Sequence, residues 1–229
     1  MYKIDHYIGG QTVAATSGRT APIYDPSNGT VQGEVGLACK IDINLAVTVA
    51  SEAFETWSDV GLMKRVSIMF KFRELLEKNR DELCRHVVKE HGKVWDDAMG
   101  EITRGIEIVE NACGIPEMLK GDYSQQVGDG IDVYSTRQAL GVVCSITPFN
   151  FPAMVPLWTI PLAIACGNTF ILKPSSSIFA FHPIGGNKLF SKIISPSLLL
   201  IKTKQSLAEP APYKPKSQRS SISLSPMLY

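Results

Sequence analysis

The stretch Gly141-Val-Val-Cys-Ser-Ile-Thr-Pro-Phe-Asn-Phe-Pro152 constrains this chain more than any other. The apolar run from Val142 to Ile146 predicts a buried strand, followed by a polar loop. Pro152 can open a helix, because its missing N–H would be unpaired there anyway. The apolar segment Ala153–Cys166 supplies that helix, and Thr169–Leu172 supplies a second strand that ends at Lys173-Pro174. This is one βαβ unit. It places Asn150 and Lys173 at the carboxyl ends of strands, the edge along which open α/β sheets bind ligands. An Asn amide is a donor, and a Lys ammonium is a point charge for a ribose or phosphate oxygen. Spacing alone also allows plainer readings: Asn150 as a loop-capping amide, Lys173 as a surface lysine before a proline.

Upstream, residues 4–38 read as short strands, with turns at Tyr7-Ile-Gly-Gly10 and Asp25-Pro-Ser-Asn-Gly29. Asp42 can cap a helix running to about Trp57, with Val49, Ala50, Ala53, Phe54 and Trp57 on one face. A second helix spans about Leu62 to Lys78, with Leu62, Val66, Met69, Phe72 and Leu76 inward. A third starts at Asn79 or Asp81 and buries Leu83, Cys84, Val87 and Val88. The fourth, Asp96 to Cys113, buries Ala98, Ile102, Ile106 and Val109, and ends at Gly114 and Pro116. Arg104 lies off that stripe with Glu101 and Glu107, which reads as a solvated face carrying i,i+3 ion pairs. Residues 124–140 are polar, with a turn at Gly128-Asp-Gly130 and an exposed strand over Ile131–Ala139, a pairing hazard unless covered.

Charge divides the chain. The net charge is +1 overall, so nothing in bulk electrostatics calls for nucleic acid or an anionic membrane. Residues 1–175 hold 16 basic and 21 acidic side chains, whereas residues 176–229 hold seven basic ones and a single acid, Glu209. A boundary near residue 175 follows. No apolar run reaches the ~20 residues needed to span a bilayer. The amino terminus is neither a signal nor a transit peptide. Cys39, Cys84, Cys113, Cys144 and Cys166 form no CxxC pair and fit reduced thiols. Cys144 in its strand reads as buried, and Cys166 at its helix end as remote from the ligand edge. His6, His86, His91 and His182 show no metal-ligand spacing, so no metal site is expected.

Thr147-Pro-Phe-Asn-Phe-Pro152 and Leu172-Lys-Pro174, with Val155-Pro-Leu-Trp158 between them, resemble the aldehyde dehydrogenase family, in particular its CoA-acylating methylmalonate-semialdehyde dehydrogenase branch. The resemblance covers about residues 1–175. It implies an α/β fold: a partial aldehyde dehydrogenase fold, with an incomplete Rossmann-like cofactor domain of one βαβ unit, amino-terminal helices and an oligomerisation strand. Residues 1–123 would be the amino-terminal strands and helices of the cofactor domain, 124–140 the oligomerisation arm, and 141–175 the first βαβ of the dinucleotide-binding unit. The cofactor implied is NAD, with CoA as co-substrate. Backbone at Thr147 and Phe149 would line the nicotinamide side, Lys173 would reach the adenosine ribose, and Asn150 would be an oxyanion donor. Arg104 would hold a substrate carboxylate, a task suited to a guanidinium fork. The family also implies a homo-oligomer, valine or pyrimidine catabolism, and a mitochondrial matrix location in eukaryotes. With no targeting sequence in the chain, a cytoplasmic location is equally open.

The resemblance then breaks. Where the family pattern has a ribose-binding Glu, this chain has Ser176. The expected general-base Glu and nucleophilic Cys segments do not follow. Residues 176–229 carry 11 serines and six prolines, a density that opposes helix or strand over most of that length. They read as an unrelated, disordered tail with one apolar island, Phe190–Ile201, able to dock on the βαβ unit or to drive aggregation. Two further expectations stand beside an inactive truncated enzyme: a non-catalytic protein that pairs with full-length subunits, and an unstable splice or frameshift by-product.

Overall fold

Period-two segments at the amino terminus form five short strands: β1 (Tyr2–Ile4), β2 (His6–Ile8), β3 (Gln11–Val13), β4 (Thr20–Tyr24) and β5 (Val31–Gly36). The computed structural model describes residues 2–175 and, as backbone, residues 198–200. β2 and β3 form a hairpin whose turn residues, Gly9 and Gly10, have φ of 59° and 82°. That pair of positive angles is what a two-residue turn between right-twisted strands demands. At Asp25–Gly29 the Asp25 carboxylate accepts the Ser27 N–H at 2.9 Å, and Gly29 turns at φ 73°. β4 then pairs antiparallel with β5, and β1 lies parallel on β5's other side.

Four long helices follow: α1 (Lys40–Trp57), α2 (Leu62–Lys78), α3 (Arg80–His91) and α4 (Trp95–Cys113), then a single turn, α5 (Ile115–Met118). Sequence periodicity locates the inward faces of α2 and α3, where Val66, Met69, Phe72, Leu76, Leu83, Cys84 and Val87 are buried. Asp42 does cap α1, but from the third helical position, with Cys39 standing just before the helix. It sits inside the first turn, fully buried, and accepts N–H groups from Cys39 at 2.8 Å and Thr16 at 3.1 Å. Burial opposes its charge, but these hydrogen bonds outweigh that and hold its carboxyl below the usual range.

The βαβ unit comprises β8 (Val142–Ile146), α6 (Met154–Ala165) and β9 (Thr169–Lys173), with β8 and β9 parallel. Pro152 lies in a turn two residues ahead of α6 rather than opening it. A three-residue strand, β10 (Leu198–Leu200), pairs parallel with β9 and antiparallel with β2. The resulting five-stranded sheet runs β3-β2-β10-β9-β8. These three residues of the apolar island are therefore in a sheet; the rest of the tail lies outside the described residues. Between the helices and the βαβ unit, β6 (Tyr123–Gly128) and β7 (Ile131–Tyr134) form a separate exposed hairpin. Strand structure thus begins earlier than the polar composition suggests, and stops at Tyr134 rather than Ala139.

β9 is buried on both faces. Phe170 and Leu172 enter the main core with Phe72, Ile102, Leu157, Ile160 and Ile164, while Ile171 packs with Ala46 and Ala50 of α1. This two-sided cover explains the continuous apolar run. β8 is the edge strand and keeps Cys144 and Ile146 exposed, so a buried Cys144 is not what forms. Helix α4 reaches α6 closely because Gly105 faces Leu157; a Cβ there would lie 2.4 Å from Leu157 Cδ1.

Polar side chains tie the layers together. Trp57 Nε1 donates to Ile164 O at 3.1 Å, and Thr169 Oγ1 to Ala50 O at 2.9 Å. Buried Arg65 donates to the carbonyls of Ala165, Ser58 and Val60, closing the last turn of α6. The Asn168 side-chain oxygen accepts the N–H groups of Leu140 at 2.7 Å and Gly141 at 3.1 Å, and its amide donates to Ala163 O at 3.2 Å.

Candidate functional site at the carboxyl ends of β8 and β9

The last paired residues of the two parallel strands are Ile146 and Lys173. One residue on, the Thr147 N–H donates to Lys173 O at 3.1 Å, extending the ladder into the loop. Thr147 is buried and its N–H is already committed to Lys173, which leaves only its carbonyl and hydroxyl for a ligand. Lys173 is half-buried, and burial holds its ammonium below the usual lysine range. A partly desolvated cation at a strand end interacts more strongly with an anionic or hydroxyl ligand than one in bulk water.

The loop carries Phe149, 59% exposed, and Asn150, also exposed. Asn150 makes no hydrogen bond among the described residues, so its amide is available to a ligand. Sequence reasoning brings Thr147, Phe149, Asn150 and Lys173 to one edge, and they do share it.

What holds this loop was not legible as a site feature. The spacing puts Glu101 on a solvated face with Arg104; instead its carboxylate is 1% exposed. Glu101 Oε1 accepts the N–H groups of Ala153 at 2.7 Å and Met154 at 3.0 Å, and Oε2 pairs with Lys93 Nζ at 2.5 Å. Lys93 Nζ also lies 4.2 Å from the centre of the Phe151 ring. The missed signal was the spacing of Ala98, Glu101, Ile102, Gly105, Ile106 and Val109, a single stripe once Gly105 is counted in it. Arg104 is exposed and forms no ion pair among the described residues. It lines a cleft of about 450 Å³ with Lys93, Asp96, Asp97, Gly100, Glu101 and Phe151. Arg104 therefore adjoins the loop through Phe151, but nothing places it against Asn150 or Lys173.

No thiol among the described residues has the surroundings of a nucleophile. Burial pushes Cys84, Cys113 and Cys166 above the ordinary thiol value, against Arg85, Arg73 and Arg65 in turn, and partial desolvation does the same to the largely exposed Cys144. Cys166 follows the last turn of α6, at the opposite end of that helix from the Asn150 loop. Cys39 Sγ lies 3.2 Å from Thr16 Oγ1 beside the first turn of α1. No group of His, Cys, Asp and Glu among the described residues could hold a metal ion, and no described helix is long and apolar enough to cross a membrane.

A parallel βαβ unit with a cation and a free amide at its carboxyl edge, and helices on both faces, defines an open α/β architecture of the kind that binds ligands at its strand ends. The aldehyde dehydrogenase family profile matches residues 12–183, and the chain belongs to that family. It is 50% identical over 175 residues to a malonate-semialdehyde dehydrogenase of Pseudomonas aeruginosa, covering 76% of this chain and 35% of the relative. Its fold matches the crystal structure of methylmalonate-semialdehyde dehydrogenase from Oceanimonas doudoroffii with a TM-score of 0.81 and 42% identity, over 90% of this chain and 42% of that one. A protein from Sinorhizobium meliloti 1021, assigned as a methylmalonate-semialdehyde dehydrogenase and complexed with NAD, matches with a TM-score of 0.79 and 39% identity, over 89% of this chain and 42% of that one. The chain spans about a third of the length of the curated relatives it matches.

The donor set suits part of a dinucleotide. Lys173 can reach ribose or phosphate oxygens, and Asn150 can donate to a carbonyl oxygen. A glycine-rich phosphate cradle is missing among the described residues.

Proposed function

We propose that this chain carries the cofactor-facing portion of an NAD-dependent, CoA-acylating malonate- or methylmalonate-semialdehyde dehydrogenase, and that alone it does not complete the reaction. One observation carries this reading: Thr147, Phe149, Asn150 and Lys173 share a single strand-end edge in a chain 50% identical to a malonate-semialdehyde dehydrogenase. In the whole reaction the aldehyde carbon would exchange its hydrogen, lost as hydride, for a bond to CoA sulfur, and the thiol proton would go to solvent. NAD, when bound, supplies the hydride acceptor. In this reading Asn150 would donate to the oxyanion of a tetrahedral adduct, and such a donor is worth about 3 kcal/mol in related acyl chemistry. Lys173 would hold the cofactor's ribose, and Arg104, in the cleft beside Phe151, would take the substrate carboxylate. What the described residues do not offer is an activated thiolate.

Purified chain incubated with methylmalonate semialdehyde, NAD and CoA should form no NADH. Steady turnover that is lost on mutating one of the five cysteines would overturn this reading.

The β6–β7 hairpin favours a second role. Tyr123, Val127, Ile131, Val133 and Tyr134 are all exposed on it, and an uncovered two-stranded ribbon invites strand addition. We therefore propose pairing with longer subunits of the same family. Co-purification with such a subunit, abolished by deleting residues 123–134, tests it.

A further inference from the structure

We infer that Glu101 is the positioning residue for the Asn150 loop, acting as a buried carboxylate post between helix α4 and the start of α6. Three groups converge on it, and a fourth is held through the third. Two are the N–H groups of Ala153 and Met154, which open α6 and have no partner within that helix. The third is the Lys93 ammonium on Oε2. The fourth is the Phe151 ring, held under that same ammonium. The loop leaves β8 at Thr147, which the Lys173 carbonyl fixes. It re-enters the fold at Ala153, which Glu101 fixes. Phe149 and Asn150 are strung between these two anchors and are themselves exposed. A short loop pinned at both ends has few conformations, so the second anchor sets how far the Asn150 amide can stray.

The chemistry of the post is specific. One carboxylate oxygen accepts two amide donors while the other faces a cation. An apolar side chain of similar size would leave both amides and the ammonium buried without partners. A glutamine keeps an acceptor for the amides but turns its NH2 toward Lys93, so the ammonium loses both its acceptor and its charge partner. The importance of the loop to catalysis rests on the function proposed above; the placement of the loop by Glu101 does not.

Hydrogen exchange of the full chain therefore tests the inference without activity or cofactor. Glu101→Ala and Glu101→Met should each raise exchange at Ala153 and Met154 by about tenfold or more, while Val109 and Phe170 amides keep their protection. Glu101→Gln should restore most of the protection at Ala153 and Met154. Lys93→Met should loosen Phe151 and leave β9 unaffected. Equal rescue by Met and Gln would reduce Glu101 to a packing residue and overturn the inference, as would unchanged exchange at Ala153 and Met154 in Glu101→Ala. If Glu101→Ala unfolds outright, the comparison of Gln with Met decides the matter. An NADH-forming chain would change the proposed function and leave these outcomes standing.

Discussion

The Thr147 N–H and the Lys173 carbonyl are joined at 3.1 Å, one step beyond the paired residues Ile146 and Lys173. This bond carries the parallel ladder into the loop. It brings the half-buried lysine beside the residues that precede Asn150, whatever ligand the edge takes.

Cofactor affinity is the first expected outcome. Ser176, outside the described residues, stands where the family pattern has a carboxylate for the ribose hydroxyls. Losing a charged hydrogen bond takes away about 1.5–3 kcal/mol, or roughly one to two orders of magnitude in affinity. Nor do the described residues supply a glycine-rich phosphate cradle. Calorimetry should show no NAD binding at micromolar concentrations. A micromolar dissociation constant that weakens on Lys173→Ala would instead establish a working site.

Gly105→Val should destabilise the fold. Even a single Cβ would meet Leu157 Cδ1 at 2.4 Å and Leu157 Cβ at 3.1 Å. Overpacking of this kind costs about 1–3 kcal/mol. A lower urea midpoint with an unchanged slope is the expected result.

Stability should fall on mild acidification. Burial, the largest influence on both His86 and His91, holds each imidazole below its ordinary value, against the pull of Glu82 on the former and Glu101 on the latter. Below about pH 6.5 the unfolded chain takes up protons that the fold resists. The stabilisation is complete above that pH and is lost as pH falls through the folded values. Urea midpoints at about pH 7.5 and 5.5 check this, and replacing both histidines with Gln should flatten the difference.

Leu199→Pro tests the strand supplied by the tail. Proline removes a backbone donor, and it is rarely found inside a sheet. β10 alone connects β9 with β2 in the ladder. The substitution should lower protection at Tyr7 and Ile171 and enlarge the particle seen by light scattering. An unaltered exchange pattern would mean that β10 contributes little.

The βαβ unit was readable because its signals are local: β8 begins and ends where the apolar run does, and Lys173 closes β9 as its proline neighbour suggests. Gly9 and Gly10 announced their turn for the same reason. Glu101 was misread, and the burial of the capping Asp42 went unseen, because a buried carboxylate is satisfied by backbone groups distant in sequence, Ala153 for one and Thr16 for the other. Spacing put Glu101 on a solvated face; tertiary partners decided otherwise. Cys144 was taken as interior because an apolar strand does not reveal whether it sits at a sheet edge. β10 was hidden by its serine- and proline-rich surroundings, since parallel pairing depends on backbone and needs little from local propensity.

Asn168 has a reach beyond its own turn. Its carboxamide clamps Leu140 and Gly141 to the end of α6, and so fixes which residue of β8 starts opposite Thr169. A slip of one position along these strands would displace every pair by about 3.3 Å and swap the faces of β8. Thr147 would then lie out of reach of the Lys173 carbonyl. The alignment of the ligand edge is thus chosen at the far end of the sheet, by a side chain that no ligand bound there would touch.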